Sequence, residues 1–171
     1  MDSANANRIK ARAIIFSLPG IHLRMLQRAL GTSFSTARYH ASNLVKEGEV
    51  VRRSDKRYER LYPKGTTDAM QSVYAVLQRR AMRDILQTVA DLHGQCPTVA
   101  EVATRAGLSS SFVAASIRQL SEAGLVTRLQ GTDGRLRFEF PDRDLVLQLL
   151  AGLRRNVMDV AADNLIDLWN F

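Results

Sequence analysis

Between residues 33 and 47 the chain carries Ser35, Thr36, Arg38, Tyr39, Ser42, Asn43 and Lys46. On a 3.6-residue wheel Ser35, Tyr39, Ser42 and Lys46 share one side, flanked by Arg38 and Asn43. Hydroxyls, an amide, one aromatic ring and two cations in that pattern suit base edges and phosphates in a DNA groove. A second basic group follows within 50–62, where Arg52, Arg53, Lys56, Arg57 and Arg60 are placed for phosphates or a minor groove. The opposite side of the wheel is narrow and buriable: Ala37, Ala41 and Leu44, with His40 at its edge. His40 reads as a hydrogen-bonded structural residue rather than a base reader.

Other chemistry lacks its residues. No Gly-rich loop precedes a helix to cradle a phosphate, Ser109-Ser110-Ser111 have no histidine placed to activate them, and Cys96 beside Pro97 has no evident base. Cys96, His22, His40 and His93 are scattered without the spacing of metal ligands. The expectation is a protein that is not an enzyme, with no catalytic residue, cofactor or metal.

The elements that must hold the basic face follow from apolar spacing and turn signals. Residues 1–7 read as a frayed terminus. A helix starting near Arg8 takes Ile9, Ala13, Ile14 and Phe16 as its apolar side and stops at Pro19-Gly20. A second helix, His22 to Leu30, faces a core with Leu23, Leu26, Ala29 and Leu30. Gly31-Thr32 then turns tightly into a third helix, 33–47, with Ser33 as its N-cap and Gly48 as a left-handed end. Residues 50–62 read as a hairpin with a charged turn. After the linker Pro63–Thr67, helical patterning runs from Asp68 to about Leu92, with a possible break at Gln78–Arg80, and ends at His93-Gly94.

The pattern then returns. A shift of 76 residues places Leu23 on Val99, Leu26 on Val102, Gly31 on Gly107, Ser33 on Ser109, Ala37 on Val113, Ala41 on Ile117, Leu44 on Leu120, Gly48 on Gly124 and Val50 on Val126. Thr98 and Glu101 predict a capping box. Strands are expected at Val126–Gln130 and Arg135–Phe140, the latter with Leu136, Phe138 and Phe140 facing inward. From Asp142 onward the chain is helical, with Gly152 as a kink and an apolar surface built from Leu145 to Trp169. That surface suggests dimerisation, the alternative being that it packs back on its own chain.

Composition agrees with this division. The 171 residues are 46% hydrophobic and carry a net charge of +7. Residues 1–65 hold 13 Lys/Arg against 5 Asp/Glu, while residues 66–171 hold 11 against 12. A basic module that meets a polyanion and a neutral module with another task fit that asymmetry. A single cysteine, an apolar run at Ala13–Leu18 too short for a signal peptide, and no stretch of 18 apolar residues point to a cytoplasmic protein without membrane partners.

The segment Ser35-Thr36-Ala37-Arg38-Tyr39-His40, with Leu44 and Glu47-Gly48-Glu49-Val50, resembles the recognition helix and following strand of winged helix-turn-helix regulators of the ArsR and MarR type, particularly archaeal ones. Leu108-Ser109, Val113, Ile117, Leu120 and Ala123-Gly124-Leu125-Val126 look like the same motif again. The resemblance spans residues 8–141 in two copies. It implies a mainly α fold with small β-hairpin wings: winged domains at 1–65 and 80–141, a connecting helix at 66–79 and C-terminal helices at 142–171. It also implies that helix 33–47 reads the major groove of double-stranded DNA while the wing grips the backbone. The second copy has Ala114, Ala115 and Glu122 where the first has Arg38, Tyr39 and Lys46, so sequence reading is assigned to the first. The expected function is a sequence-specific, homodimeric transcription regulator, with no effector molecule specified. The alternative is a protein-interaction subunit of a transcription-initiation, replication or chromosome-organising complex.

Overall fold

The structure is a computed structural model that describes residues 3–55, 58–92 and 96–169, without the side chains of residues 3, 4, 55 and 157–169. The chain forms two compact units, one of residues 1–71 with 152–171 and the other of residues 72–151. Both follow a mainly helical plan with a small antiparallel sheet, the winged helix-turn-helix class.

The first unit contains α1 (Ser3–Ser17), β1 (Ile21–His22), α2 (Leu23–Leu30), α3 (Phe34–Lys46), β2 (Val50–Asp55) and β3 (Tyr58–Pro63). Its sheet is ordered β1-β3-β2. The hairpin registers Val50 on Pro63 and Asp55 on Tyr58, and β1 adds Ile21 opposite Leu61 and His22 opposite Arg60. Its core gathers Ile14 and Ile15 of α1, Leu18 just after it, Ile21, Leu26 of α2, Ala37, Ala41 and Leu44 of α3, and Val50, Leu61 and Tyr62 of the wing.

Two sequence expectations change in α1. The helix begins at Ser3 rather than near Arg8, because Ala4 and Ala6 favour a helix and no Gly or Pro interrupts it. Its buried side is Ala11, Ile14 and Ile15, continued by Leu18 after the helix ends, whereas Ile9, Ala13 and Phe16 point outward. The residue expected to open α2, His22, lies in β1 and caps the helix instead: its Nδ1 accepts the Met25 N–H at 3.3 Å.

Helix α4 (Asp68–Leu77) runs from the first unit into the second, and α5 (Arg80–Asp91) follows after a break without Gly or Pro. The break is held by side chains. Arg79 takes an extended conformation, and Arg83 Nη1 donates to the Leu77 carbonyl at 2.6 Å, satisfying an acceptor that the broken ladder releases.

The second unit continues with α6 (Val99–Ala106), α7 (Ser110–Glu122), β4 (Thr127–Gln130) and β5 (Leu136–Glu139). The capping box at its start is formed as expected: the Thr98 hydroxyl accepts the Glu101 N–H, and the Glu101 carboxylate accepts the Thr98 N–H. That bonding holds the Glu101 carboxyl below the usual carboxylate range. Within β5 Phe138 is fully buried, but Leu136 faces outward at the turn end of the hairpin, against the expected alternation. Helix α8 (Arg143–Trp169) buries Val146 and Leu150 in the second unit and is helical through Gly152. From Gly152 onward it belongs to the first unit, where Asn156 Nδ2 donates to the Ser17 carbonyl at 2.7 Å. The side chains from Val157 to Trp169 expected to mediate dimerisation lie outside the described residues, as does the His93-Gly94 helix end.

Candidate nucleic-acid interface

Helix α3 is fixed at both ends by local chemistry. Ser33 is extended at φ −70°, ψ 157°, and its Oγ accepts the Thr36 N–H at 3.1 Å. The same Oγ lies 2.8 Å from Ser35 Oγ and 2.9 Å from Thr36 Oγ1, so three hydroxyls cluster at the first turn. Gly48, at φ +72°, allows Glu49 N–H to close back on the Leu44 carbonyl at 3.0 Å. Ala37, His40, Ala41 and Leu44 fill the buried side.

The outer side is divided between exposed groups and tethered ones. Ser35, Arg38, Tyr39 and Lys46 are exposed, Tyr39 at 61%. Thr36, Ser42 and Asn43 are half-buried. Ser42 Oγ accepts from Arg52 Nη2 at 3.1 Å, and Arg52 Nη1 lies 3.6 Å from the Glu59 carboxylate. Ser42 and Arg52 therefore tie α3 to the hairpin, with their polar groups turned toward each other. Arg53 remains largely exposed, 3.5 Å from Asp68 Oδ1. Lys56 and Arg57, which fall between β2 and β3 in the sequence, lie outside the described residues.

Arg60 is a correction. Expected on the phosphate-gripping surface, it is 4% exposed, and its Nη1 donates to the Gly20 carbonyl at 3.0 Å. The cause is β1: its pairing with β3 sets Arg60 opposite His22 and turns the guanidinium toward the loop before the sheet.

Other basic groups in this unit sort by partner. On α1, Arg8 pairs with Glu47 at 2.5 Å and Arg12 with Glu49, so those cations are matched by the carboxylates that follow α3. On α2, Arg24 and Arg28 are exposed one turn apart. The His22 ring stacks on Tyr58 of the wing at 5.0 Å between centroids and 19° between planes. Burial, then the charges of Arg60, Arg28 and Arg24, push the His22 imidazole below its ordinary value of 6.5. Arg24, Arg28 and Tyr58 were not expected at the site. The i, i+4 arginine pair in a helix leading into the turn was the available signal.

His40 is buried, as a structural residue would be, but the hydrogen bond expected of it is not made at Nδ1. Its Nδ1 meets no hydrogen-bond partner among the described residues, its ring meets Tyr39 edge-on at 5.4 Å, and burial followed by the charge of Arg8 holds it below its ordinary value. Among the described residues no three His, Cys, Asp or Glu side chains are grouped as a metal ion would need, and no helix is long and apolar enough to cross a membrane.

In the second unit, α7 repeats the frame with different contents. Ser109 Oγ accepts the Phe112 N–H at 3.3 Å, and Val113, Ser116, Ile117 and Leu120 are buried. Outward it presents Ser111, Phe112, Ala114, Ala115, Arg118 and Glu122. On its hairpin, Arg137 is engaged with the Cys96 carbonyl and with Asp133, both at 3.0 Å.

No family model matches the chain, and no curated protein matches it. Among solved structures it is similar to the homodimeric winged helix-turn-helix DNA-binding domain of a possible ArsR-family transcriptional regulator from Mycobacterium bovis, with 26% identity, 56% of this chain and 80% of that one covered, and a TM-score of 0.42. It is also similar to ScpB from Mycobacterium tuberculosis, at 21% identity with 88% and 98% covered and a TM-score of 0.34. A third is the mRNA-binding domain of elongation factor SelB from E. coli in complex with SECIS RNA, at 11% identity with 81% and 99% covered and a TM-score of 0.29. The winged helix-turn-helix class rests on the chain's own elements: mainly helical units, each with a helix pair followed by a small antiparallel hairpin.

Proposed function

We propose that the protein is a sequence-specific regulator of transcription that binds double-stranded DNA through its first unit. The observation that carries this reading is the outer face of α3, where Ser35, Arg38, Tyr39 and Lys46 are exposed together on a helix whose reverse side is locked into the core. Polar and cationic groups on a rigid helix fit the major groove, where side chains read donor and acceptor patterns. Arg53, with Lys56 and Arg57 that follow β2 in the sequence, would meet phosphates, and Arg24 and Arg28 would meet the backbone from α2. Ser42 and Arg52 hold helix and wing in one register. A homodimer in the cytoplasm would address two half-sites, and the readings of no catalysis and no cofactor are kept with this function.

A salt titration of binding to duplex DNA tests the reading. Neutralising phosphates releases counterions, so affinity falls steeply between low and moderate salt. Selection of bound sequences from random duplexes is expected to enrich an inverted repeat. Affinity indifferent to salt, or no enrichment, overturns it.

A second reading draws on α7. Phe112, Ala114 and Ala115 form a weakly polar outer face, suited to a protein surface rather than to phosphates. It supports a winged subunit of a transcription-initiation, replication or chromosome-organising complex. Capture of another protein by a chain that shows no salt-dependent duplex binding would favour it.

A further inference from the structure

His22 stands where three elements of the first unit meet. As the last residue of β1 it pairs with Arg60 of β3, and its Nδ1 caps α2 by accepting the Met25 N–H at 3.3 Å. Its ring also stacks on Tyr58, which is exposed on the wing. Helices α3, α6 and α7 are capped by the hydroxyls of Ser33, Thr98 and Ser109, which keep their acceptor lone pairs at any ordinary pH. Of these caps, the one on α2 is the one that a proton can cancel.

A ring nitrogen that accepts a hydrogen bond carries no proton, so the capping His22 is neutral with its hydrogen on Nε2. Protonation turns Nδ1 into a donor facing the Met25 donor, and the cap is lost. The ring then has to turn away from Met25, and because that same ring lies on Tyr58, the tie to the wing loosens with the cap. The charges acting on it come from both neighbouring elements, Arg60 beside Tyr58 on β3 and Arg28 and Arg24 on α2, and all three repel the cation that protonation creates. Burial, then those charges, hold the ring below its ordinary value, so the capping form prevails at neutral pH and is lost in mild acid.

We propose that His22 is a positioning residue that holds α2 and the wing in register while its ring is neutral and releases them when the ring takes up a proton, so that preference among DNA sequences falls in mild acid. The proposal adds regulation to the regulator reading and rests on it for its DNA readout. Arg24 and Arg28 ride on α2 and Arg53 on the wing, and phosphate contacts of that kind fix the register in which a helix meets the bases.

The test uses the full chain. Without DNA, heteronuclear NMR follows the His22 ring and the Met25 amide from pH 8 to 5. Both are expected to move with one midpoint below 6.5, and the Met25 movement disappears in His22→Asn, whose amide oxygen caps without titrating. A Met25 amide that ignores the ring overturns the proposal. With DNA, the readout is the ratio of affinities for a selected and a scrambled duplex, because the added positive charge strengthens both alike. That ratio is expected to fall about fivefold from pH 7.5 to 5, the factor that one helix cap is worth. His22→Asn gives a ratio that does not move with pH, and His22→Phe, which stacks but cannot cap, gives a flat and lower one, with circular dichroism confirming the fold at each pH. A wild-type ratio indifferent to pH, a fall in His22→Asn equal to that of the wild type, or full preference in His22→Phe overturns it. A chain without salt-dependent duplex binding at any pH fails the regulator reading instead, and the Met25 amide then decides the proton-controlled cap alone.

Discussion

Helices α3 and α7 are each 13 residues long, each has a serine N-cap, and each is followed one residue beyond its C-cap by a glycine at positive φ, Gly48 at +72° and Gly124 at +74°. Both bury four residues at matching positions: Ala37, His40, Ala41 and Leu44 in one, Val113, Ser116, Ile117 and Leu120 in the other. Outward they part, with Arg38, Tyr39 and Lys46 set against Ala114, Ala115 and Glu122. The difference separates what this helix needs in order to fold from what is spent on a partner. Two solutions to one packing problem carry opposite surfaces, so the basic face of α3 is not a by-product of its fold.

The equivalence of the buried sides is the part that can be broken hardest. Leu44 is 1% exposed and Leu120 fully buried. Leu44→Ala and Leu120→Ala are each expected to cost about 2–5 kcal/mol, lost transfer energy plus a cavity. Chemical denaturation monitored by circular dichroism checks both. A cost under about 1 kcal/mol at either site would mean that its helix is not seated in a comparable core.

Next comes the outer face. Arg38→Ala and Tyr39→Ala give α3 the surface of α7 and are each expected to cost about 1–3 kcal/mol of binding to a selected duplex, with blurred preference among sequences. Changing Ala114→Arg and Ala115→Tyr leaves that affinity within twofold. Competition binding against scrambled duplexes decides it, and equal losses from both pairs would erase the proposed division of labour.

Within the wing, Arg53 and Arg60 make a finer contrast. Arg53→Ala is expected to reduce the slope of log affinity against log salt by about one, with stability unchanged. Arg60→Ala is expected to lower thermal stability and leave the slope alone, because its guanidinium is spent on the Gly20 carbonyl. A slope change for Arg60→Ala would return it to the phosphate-contacting surface.

Much of this was legible because it is written locally. The Ser33 cap, the Thr98 and Glu101 capping box, and the buried positions of α3 and α7 follow from hydroxyl placement and 3.6-residue spacing, which need no knowledge of the rest of the chain. Arg60 was misplaced because its facing depends on β1, a two-residue strand too short to leave a pattern, which pairs with it from far along the sequence. The inward side of α1 was misread because both sides are apolar, so periodicity alone could not choose between Ile9 and Ala11. The break before Arg80 depends on Arg83 reaching the Leu77 carbonyl, a tertiary arrangement with no Gly or Pro to announce it. Ser42 reads as a groove contact and Arg52 as a phosphate contact, but that they bind each other is a property of the helix meeting the wing.

The smallest expected effect concerns the one chemical difference on the buried sides, His40 where the second unit has Ser116. Burial, then the charge of Arg8, holds His40 below 6.5 in the folded chain, so the unfolded chain takes up its proton at higher pH than the folded one does. Stability from the neutral ring is therefore complete above about pH 6.5 and is lost as pH falls from there toward the folded value. His22 shifts in the same direction, so both histidines of the first unit draw stability down together in mild acid. His40→Leu should flatten the fall in melting temperature between pH 7 and 5 without lowering stability at pH 7, since the replaced ring leaves Nδ1 buried without a partner. A pH profile unchanged by His40→Leu would show that the ring titrates as it does in water, and that the packing of α3 against α1 does not exclude its charge.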